Sequence, residues 1–586
     1  MTSFEIEEVR FDAQAVRQWS ERSPRNSNWP VVYLIDDGGS TRRRDGLEDI
    51  YVGESLNGSG RFLQHLANPS KQHLKTVRVV MDETFNKSAC LDLESFLIRL
   101  LAGDGKYRVL NRNDGITDAD YYRRAEYQEV FDAVFARLKA ERLFTRDIAQ
   151  IENSDLFKLS PFKALNRDQA VAVEDILEGL FDDLESGASS TIAIQGDPGT
   201  GKTVVGIFMV KLLVDIAAWS SDEVVDGDTL FVEFFTEDHR AMAKGLRIGL
   251  VVPQQSLRQS IAKVFRKTPG LDAAMVLTPF EVGESPEEFD LLIVDETHRL
   301  NHRANQPSGV QNKRFTEINE RLFGSDDKTK TQLDWIVAQS KHQIFLVDAA
   351  QSVRPADLPK AVLEALIGGA RASSRYYPLT SQMRVQAGFD YIGYIRQILR
   401  PEAGAERVRP ALADFDMRLF DDVGAMRDAI QARDEEVGLS RMVAGYAWEW
   451  VSRKNPALYD IELDGVGLRW NSTDRDWINA PGSLNEVGSI HTVQGYDLNY
   501  VGVIIGPELR FDAERQALFI DRASYADKKG KENNPTLGLV YTDDDLLEYI
   551  RNIYGVLLTR GIRGTYVYVC DPALREYIRS VLPARR

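Results

Sequence analysis

Eight consecutive residues constrain this chain more than any others. Gly196-Asp197-Pro198-Gly199-Thr200-Gly201-Lys202-Thr203 fits the pattern G-x-x-x-x-G-K-[ST]. The apolar run Thr191-Ile192-Ala193-Ile194 precedes it and a helical pattern follows, which predicts a strand, a loop and a helix in that order. Each residue type answers a physical need. Glycines let backbone N–H groups close around phosphate oxygens. A helix N-terminus adds partial positive charge at the same point. All eight residues are expected to bind nucleotide, with Lys202 reaching the terminal phosphates and Thr203 ligating Mg²⁺. A Gly-rich turn that happens to precede a lysine is the bland alternative, and the strand–loop–helix context disfavours it.

The strands around this loop are apolar almost without interruption. Ile248-Gly249-Leu250-Val251-Val252, Leu291-Leu292-Ile293-Val294 and Ile344-Phe345-Leu346-Val347 predict a parallel sheet covered on both faces. Asp295-Glu296 follows one of these strands. At such a strand end Asp295 can hold Mg²⁺ through water, and Glu296 can polarise an attacking water. Val501-Gly502-Val503-Ile504-Ile505 and Thr565-Tyr566-Val567-Tyr568-Val569 predict a second α/β unit. ATP hydrolysis is therefore the expected chemistry.

A length of 586 residues implies about three to four domains. The expected division is an N-terminal extension (1–29), a first α/β block (30–115), a helical connector (116–160), a first ATPase domain (161–369) and a second domain with insertions (370–586). Two polar stretches, 220–244 and 512–534, read as surface excursions. The formal charge of −17 excludes a uniform basic coat for nucleic acid. It leaves room for a local basic groove, since charges beyond about 8 Å are screened at physiological salt. Two cysteines, Cys90 and Cys570, cannot build a disulfide framework or a four-cysteine zinc site. Residues 1–12 are acidic and mixed, unlike a signal peptide, and no apolar run nears the roughly 18 residues of a membrane span. A cytoplasmic location is expected.

The first block carries a different kit. Tyr33 and Tyr51 each sit on a short predicted strand, Arg61 and His65 share a helix face at i, i+4, and Glu94 lies on a later helix. A carboxylate can hold a divalent metal, an arginine can stabilise phosphate charge, and a phenol or imidazole can take a proton from water. Together they suffice for phosphodiester hydrolysis. Taken singly, tyrosines on strands are packing residues.

Residues 160–575 resemble superfamily-one helicases, and within them the Schlafen-like DNA/RNA helicase group. Leu165-Asn166-Arg167-Asp168-Gln169 resembles the motif whose glutamine reads adenine, and Val251-Val252-Pro253-Gln254-Gln255 the strand-end motif that contacts single-stranded nucleic acid. Asp295-Glu296-Thr297-His298 resembles the magnesium and water-activating motif, and Asp348-Ala349-Ala350-Gln351 the motif coupling γ-phosphate to strand binding. Leu379-Thr380-Ser381-Gln382-Met383-Arg384 resembles the motif supplying an arginine to the phosphates. His491-Thr492-Val493-Gln494-Gly495-Tyr496-Asp497 resembles the strand-gripping motif, and Leu557-Leu558-Thr559-Arg560-Gly561 the motif of the arginine finger. The resemblance implies two RecA-like parallel-sheet units that clamp ATP, with Gln169 and Gln351 among the nucleotide-binding residues and Glu296, Arg384 and Arg560 catalytic. Phe280 and Tyr496 are candidates for stacking on bases.

Residues 30–115 resemble a GIY-YIG nuclease. Val31-Val32-Tyr33 stands at the first motif of that family and Tyr51-Val52-Gly53 at the second, while Arg61, His65, Glu94 and Asn111 match later positions by interval. The resemblance implies that Tyr33, Tyr51, Arg61, His65 and Glu94 are catalytic, with Glu94 holding Mg²⁺ or Mn²⁺. The first motif lacks its usual glycine and isoleucine, and the loop 36–49 is long; Arg42-Arg43-Arg44 within it is a candidate phosphate contact. The expected whole is an α/β protein, with a small mixed α/β nuclease domain before two motor domains. Its expected partner is DNA, single-stranded or forked, with RNA left open, and its expected setting is phage defence, restriction or repair. Two alternatives are an ATPase whose first block binds without cutting, and a nucleotide-switched scaffold.

Overall fold

A computed structural model describes residues 4–39, 46–112, 121–221, 231–303, 309–348, 351–382, 390–401, 415–473, 476–493 and 496–582. Arg42-Arg43-Arg44, Ala349-Ala350, Met383-Arg384 and Gln494-Gly495 lie outside the described residues. The chain forms two units. One comprises Met1–Gly187, Thr203–Leu246 and Ser260–Met275; the other comprises Ala188–Lys202, Arg247–Gln259 and Val276–Arg586. Among the described residues no helix is long and apolar enough to cross a membrane.

The first unit is built on a five-stranded sheet. Its strands are β1 (Glu5–Arg10), β2 (Val31–Asp36), β3 (Glu48–Ser55), β4 (Thr76–Met81) and β5 (Tyr107–Val109), in the order β1-β4-β2-β3-β5. All neighbours are antiparallel except β3 and β5. Strand β2 is buried along its whole length, which is why residues 31–35 are apolar at every position. Val31, Tyr33 and Ile35 face helices α1 (Ala13–Arg22) and α2 (Gly58–Ala67) through Trp19 and Phe62. Val32 and Leu34 face the other way, onto Leu93, Leu97 and Leu101 of α3 (Lys87–Asp104).

Two expectations change here. The expected extension, residues 1–29, supplies an edge strand and a covering helix. The expected connector packs into the core: helix α4 (Arg124–Ala140) buries Phe131, Val134, Phe135 and Leu138 in the same cluster as Leu93 and Phe96. Its charged residues lie on the outer face, and that charge hid the apolar stripe. Residues 220–244 are also more than a surface excursion. Phe231, Phe234 and Phe235 are buried, and the ring of Phe234 stacks on Phe181 at 6.0 Å.

The second unit holds two parallel sheets. The first has β6 (Ser190–Gly196), β7 (Ile248–Val251), β8 (Val276–Leu277), β9 (Phe289–Val294), β10 (Ser340–Val347) and β11 (Tyr376–Leu379), in the order β11-β6-β10-β9-β7-β8. The second has β12 (Asp416–Phe420), β13 (Ser440–Ala444), β14 (Ile461–Leu463), β15 (Val466–Trp470), β16 (Glu486–Ser489), β17 (Leu498–Ile505) and β20 (Gly561–Val569), in the order β12-β20-β17-β13-β16-β15-β14. Only β14 runs antiparallel to its neighbour. The second expected excursion, 512–534, starts inside the hairpin β18 (Leu509–Asp512) and β19 (Ala517–Ile520). That stretch instead buries Leu518, Ile520 and Tyr525 in the core of the second sheet.

Because α4 completes the first core, Phe131→Ala should lower the stability of that unit by roughly 3–5 kcal/mol, the cost of deleting a buried phenyl ring. Equilibrium urea unfolding of the full chain measures this. A change within about 0.5 kcal/mol would return α4 to a solvated connector.

Candidate functional sites

In the second unit the sheet order itself gathers charge. Strand β10 lies between β6 and β9, with Val347 opposite Gln195 and Phe345 opposite Val294. Three carboxyl ends therefore sit side by side, and ligands of parallel α/β sheets bind at that edge. The phosphate loop leaves β6, Asp348 follows β10, and Asp295-Glu296 follows β9. Strand β11 pairs with the other side of β6, Leu379 opposite Gly196, and Gln382 Nε2 donates to the Pro198 carbonyl at 2.7 Å.

The loop has the shape its glycines allow. Gly199 and Gly201 have φ of +86° and +79°. A Cβ on Gly196 would stand 2.4 Å from Thr200 Oγ1. Lys202 Nζ donates to the carbonyls of Gly196 at 2.6 Å and Asp197 at 3.0 Å, and lies 3.7 Å from Asp348 Oδ2. The ammonium is thus held over the loop. Gln351 Nε2 donates to Asp348 Oδ2 at 2.6 Å, while its buried Oε1 has no hydrogen-bond partner among the described residues.

Glu296 is held unusually. Glu296 has φ +48°, a left-handed conformation that costs a non-glycine residue of order 1–3 kcal/mol. Its Oε2 lies 3.0 Å from His298 Nε2. Burial pushes its pKa up, but His298, Lys202 and Arg560 outweigh burial and hold it below the ordinary carboxylate range. Arg560 is itself buried, and its Nη1 donates to the Tyr496 carbonyl at 3.2 Å. Lysine, glutamate and arginine are therefore within one another's electrostatic reach. Asp295 Oδ1 accepts from the Glu296 N–H at 2.9 Å. A magnesium–triphosphate fits this donor set: a glycine cradle, a lysine, a strand-end aspartate and a buried guanidinium.

Sequence reasoning missed Arg396, on the helix Tyr391–Leu399. Its guanidinium grips the Asp197 carboxylate of the loop at 2.6 and 3.2 Å. A cavity of about 160 Å³ opens beside Pro198, lined in part by Gln351, Arg396 and Asn552. Nothing in the local pattern ties Arg396 to a residue 199 positions away. The stacking candidates are corrected. Phe280 packs edge-on against Trp335 at 5.5 Å, and Tyr496 is buried in the second sheet's core, so neither presents a free face. His491 is partly exposed, 3.4 Å from Asp527. Thr203, next after Lys202, is the second residue of the helix Lys202–Ala218. Gln169 belongs to the first unit, where its Oε1 accepts from the Asn166 N–H at 3.1 Å in a capping box.

In the first unit Tyr33, Tyr51, Arg61 and His65, on β2, β3 and α2, converge. Tyr33 Oη lies 2.8 Å from His65 Nε2 and is also hydrogen-bonded to Arg61. The Tyr51 ring meets the His65 ring edge-on at 4.8 Å. Glu94 is half-buried, and its charge acts on the Tyr33 hydroxyl. Burial drives the Tyr33 pKa well up, with Tyr51 and Glu94 adding to it and Arg61 opposing. Asn111 works through the backbone: its side chain accepts from the Val52 N–H at 3.0 Å and donates to the Val52 carbonyl at 2.8 Å. Gly53 lies opposite Tyr33 across the β2–β3 ladder. A single carboxylate suits Mg²⁺ or Mn²⁺, which keep waters and borrow phosphate oxygens. Among the described residues no three His, Cys, Asp or Glu cluster as a metal cage.

One neighbour had no sequence signal. Lys71 lies in the short helical turn Pro69–Lys71 after α2, and Asn68 caps that turn through Ser70 N at 2.9 Å. The turn folds Lys71 back onto the helix, with Nζ 3.0 Å from His65 Nδ1.

A family model described as Schlafen group 3, DNA/RNA helicase domain, matches residues 189–571. An uncharacterized protein of Saccharomyces cerevisiae is 28% identical over 425 residues, covering 67% of this chain and 84% of that protein. The Arterivirus nonstructural protein 10 helicase matches at 14% identity and a TM-score of 0.26, over 69% of this chain and 64% of that one. The DEAD-box helicase Mss116, bound to ssRNA and UDP-BeF, matches at 12% identity and a TM-score of 0.27, over 69% and 70%.

Gly53 generates a sharp prediction. A Cβ there would stand 2.4 Å from Tyr33 Oη and 2.5 Å from its ring. Gly53→Ala should displace Tyr33 from His65, lower stability by about 1–3 kcal/mol and abolish any strand cutting. Thermal unfolding together with plasmid nicking checks it, and a variant that nicks at the parent rate would show the Tyr33 position to be immaterial.

Proposed function

The chain belongs to the family of the Schlafen group 3 DNA/RNA helicase domain, and on that premise we propose that it is an ATP-driven motor on nucleic acid whose N-terminal sheet cuts the strand. The observation that carries the motor is that Lys202, held over the phosphate loop 3.7 Å from Asp348, and Arg560 both act on the buried Glu296 carboxylate. Lys202, Thr203 and Asp295 would hold magnesium–ATP, which supplies the phosphoanhydride to be broken. Glu296, kept anionic, orients water and takes its proton. Arg560 offsets charge that develops on the phosphoryl oxygens, and Arg384 does so by resemblance. Loss of the terminal phosphate removes what the two sheets share and frees them to part.

The observation that carries the cutting is the Tyr33–His65–Arg61 contact. Tyr33 would take a proton from water, Arg61 would offset phosphate charge, and Glu94 would hold a divalent metal that supplies Lewis acidity. The first unit is thus read as a phosphodiesterase of GIY-YIG type. Cutting linked to translocation suits restriction of invading DNA or repair. Phage plaque counts with and without the gene separate these, and equal counts across many phages would remove defence.

Purified full-length protein with circular, linear and forked DNA, with and without ATP, reads both activities. Lys202→Ala should abolish ATP turnover. Arg560→Ala should lower kcat by about 10³–10⁵ while nucleotide binding persists. Glu94→Ala should abolish nicking in Mg²⁺ or Mn²⁺. ATP turnover that ignores both Lys202 and DNA would sink the motor; nicking that ignores Glu94 would move cutting out of the first unit.

A further inference from the structure

The cutting scheme leaves one group of the N-terminal cluster without a task. Lys71 Nζ lies 3.0 Å from His65 Nδ1 and 3.2 Å above the Tyr51 ring centre. The other nitrogen of His65 lies 2.8 Å from Tyr33 Oη. Four polar atoms therefore form one line: Tyr33 Oη, His65 Nε2, His65 Nδ1 and Lys71 Nζ. The line runs from a strand, through a helix, to the turn after it.

A neutral imidazole has one donor nitrogen and one acceptor. If Nε2 receives the phenol's proton, the ring becomes a cation unless Nδ1 releases its own. The cation is strongly disfavoured here. Burial drives the His65 pKa down to about 2, with the charges of Lys71 and Arg61 adding to it. The proton at Nδ1 must leave as the one at Nε2 arrives, and Lys71 is what stands at Nδ1. The groups acting on Lys71 are His65 and Arg61 from α2, the Tyr51 ring from β3, and Arg112 beyond β5. Burial, then the two arginine charges, bring the Lys71 pKa down to about 6. Above that pH the amine is neutral and can accept.

We propose that Lys71 is a positioning residue of the cutting centre, which fixes the His65 tautomer and takes up the proton that Tyr33 passes through His65. The proposal rests on the reading of the first unit as a phosphodiesterase. The proton count closes. An O–H bond of the attacking water breaks and its proton forms a new bond to Tyr33 Oη. The original Tyr33 proton goes to His65 Nε2, and the Nδ1 proton goes to Lys71 Nζ, leaving an ammonium. The hydroxide oxygen bonds to phosphorus, the phosphorus–oxygen bond to the leaving strand breaks, and that oxygen takes a proton from solvent.

A lysine that merely braced the Tyr51 ring would behave differently, since an arginine also braces an aromatic face. Nicking by the full chain with Mn²⁺ should rise with pH about a midpoint near 6 and then level off. Lys71→Met should cost about 10²-fold or more and remove that limb. Lys71→Arg should be equally impaired, because a guanidinium cannot take up a proton. Added ethylamine should partly restore Lys71→Ala. A second reading does not need cutting. In histidine labelled with ¹⁵N, the His65 signal, assigned by its loss in His65→Gln, should pass from the Nδ1–H to the Nε2–H tautomer as pH falls through 6. Nicking by Lys71→Arg at the parent rate, or a His65 tautomer that does not change with pH, overturns the role given to Lys71 alone. Absence of nicking by the parent chain, with circular and forked DNA in Mg²⁺ and Mn²⁺, overturns the phosphodiesterase and the relay together.

Discussion

Parallel pairing of β6, β10 and β9 decides where charge can collect in the second unit. In a parallel sheet all carboxyl ends open on one edge, so residues far apart in sequence meet there without long side chains. Lys202 reaches Asp348 across one strand spacing, and Glu296 stands one strand further on. The glycines of the loop matter because they let the backbone turn sharply enough to keep that edge open. Glu296 accepts a left-handed backbone at the same edge. That strain persists because β9 and the following turn Thr297–Arg299, both buried, fix the chain on either side.

The N-terminal cluster depends on a different constraint, the antiparallel register of β2 and β3. Tyr33 stands opposite Gly53, and only a glycine leaves room for the phenol to cross the ladder. The same register puts Tyr51 on the face that α2 covers, where His65 meets both rings. Asn111 then clamps β3 by bonding both polar groups of Val52. Helices α1 to α4 cover the two faces of the five-stranded sheet, so both tyrosines pack in its core.

Much of this was legible in the sequence because continuous apolar runs report buried parallel strands directly. The runs at 191–194, 291–294, 344–347, 501–505 and 565–569 each fall inside a strand. The phosphate loop was legible because its chemistry is local. Legibility failed where tertiary packing decides. The aromatic identity of Phe280 and Tyr496 carried no information on exposure, and both are buried. Helix α4 hid four buried apolar residues among charges, and the phenylalanines at 231, 234 and 235 were a signal outweighed by their polar surroundings. Lys71 and Arg396 were beyond reach, since each acts on a residue that only a turn or a sheet brings near.

The two sites use one physical effect with opposite results. Removal of water disfavours charge at both Glu296 and His65. At Glu296 the neighbours His298, Lys202 and Arg560 favour the anion, so the carboxylate stays charged despite burial. At His65 burial acts first and the Arg61 charge adds to it, so the ring stays neutral. Burial and neighbouring charge thus leave Glu296 charged and His65 neutral. Neither balance depends on the net charge of −17, since charges beyond about 8 Å are screened at physiological salt. Lys202 and Arg560 act on Glu296, and Arg61 on His65 and Lys71, through protein where screening is weak.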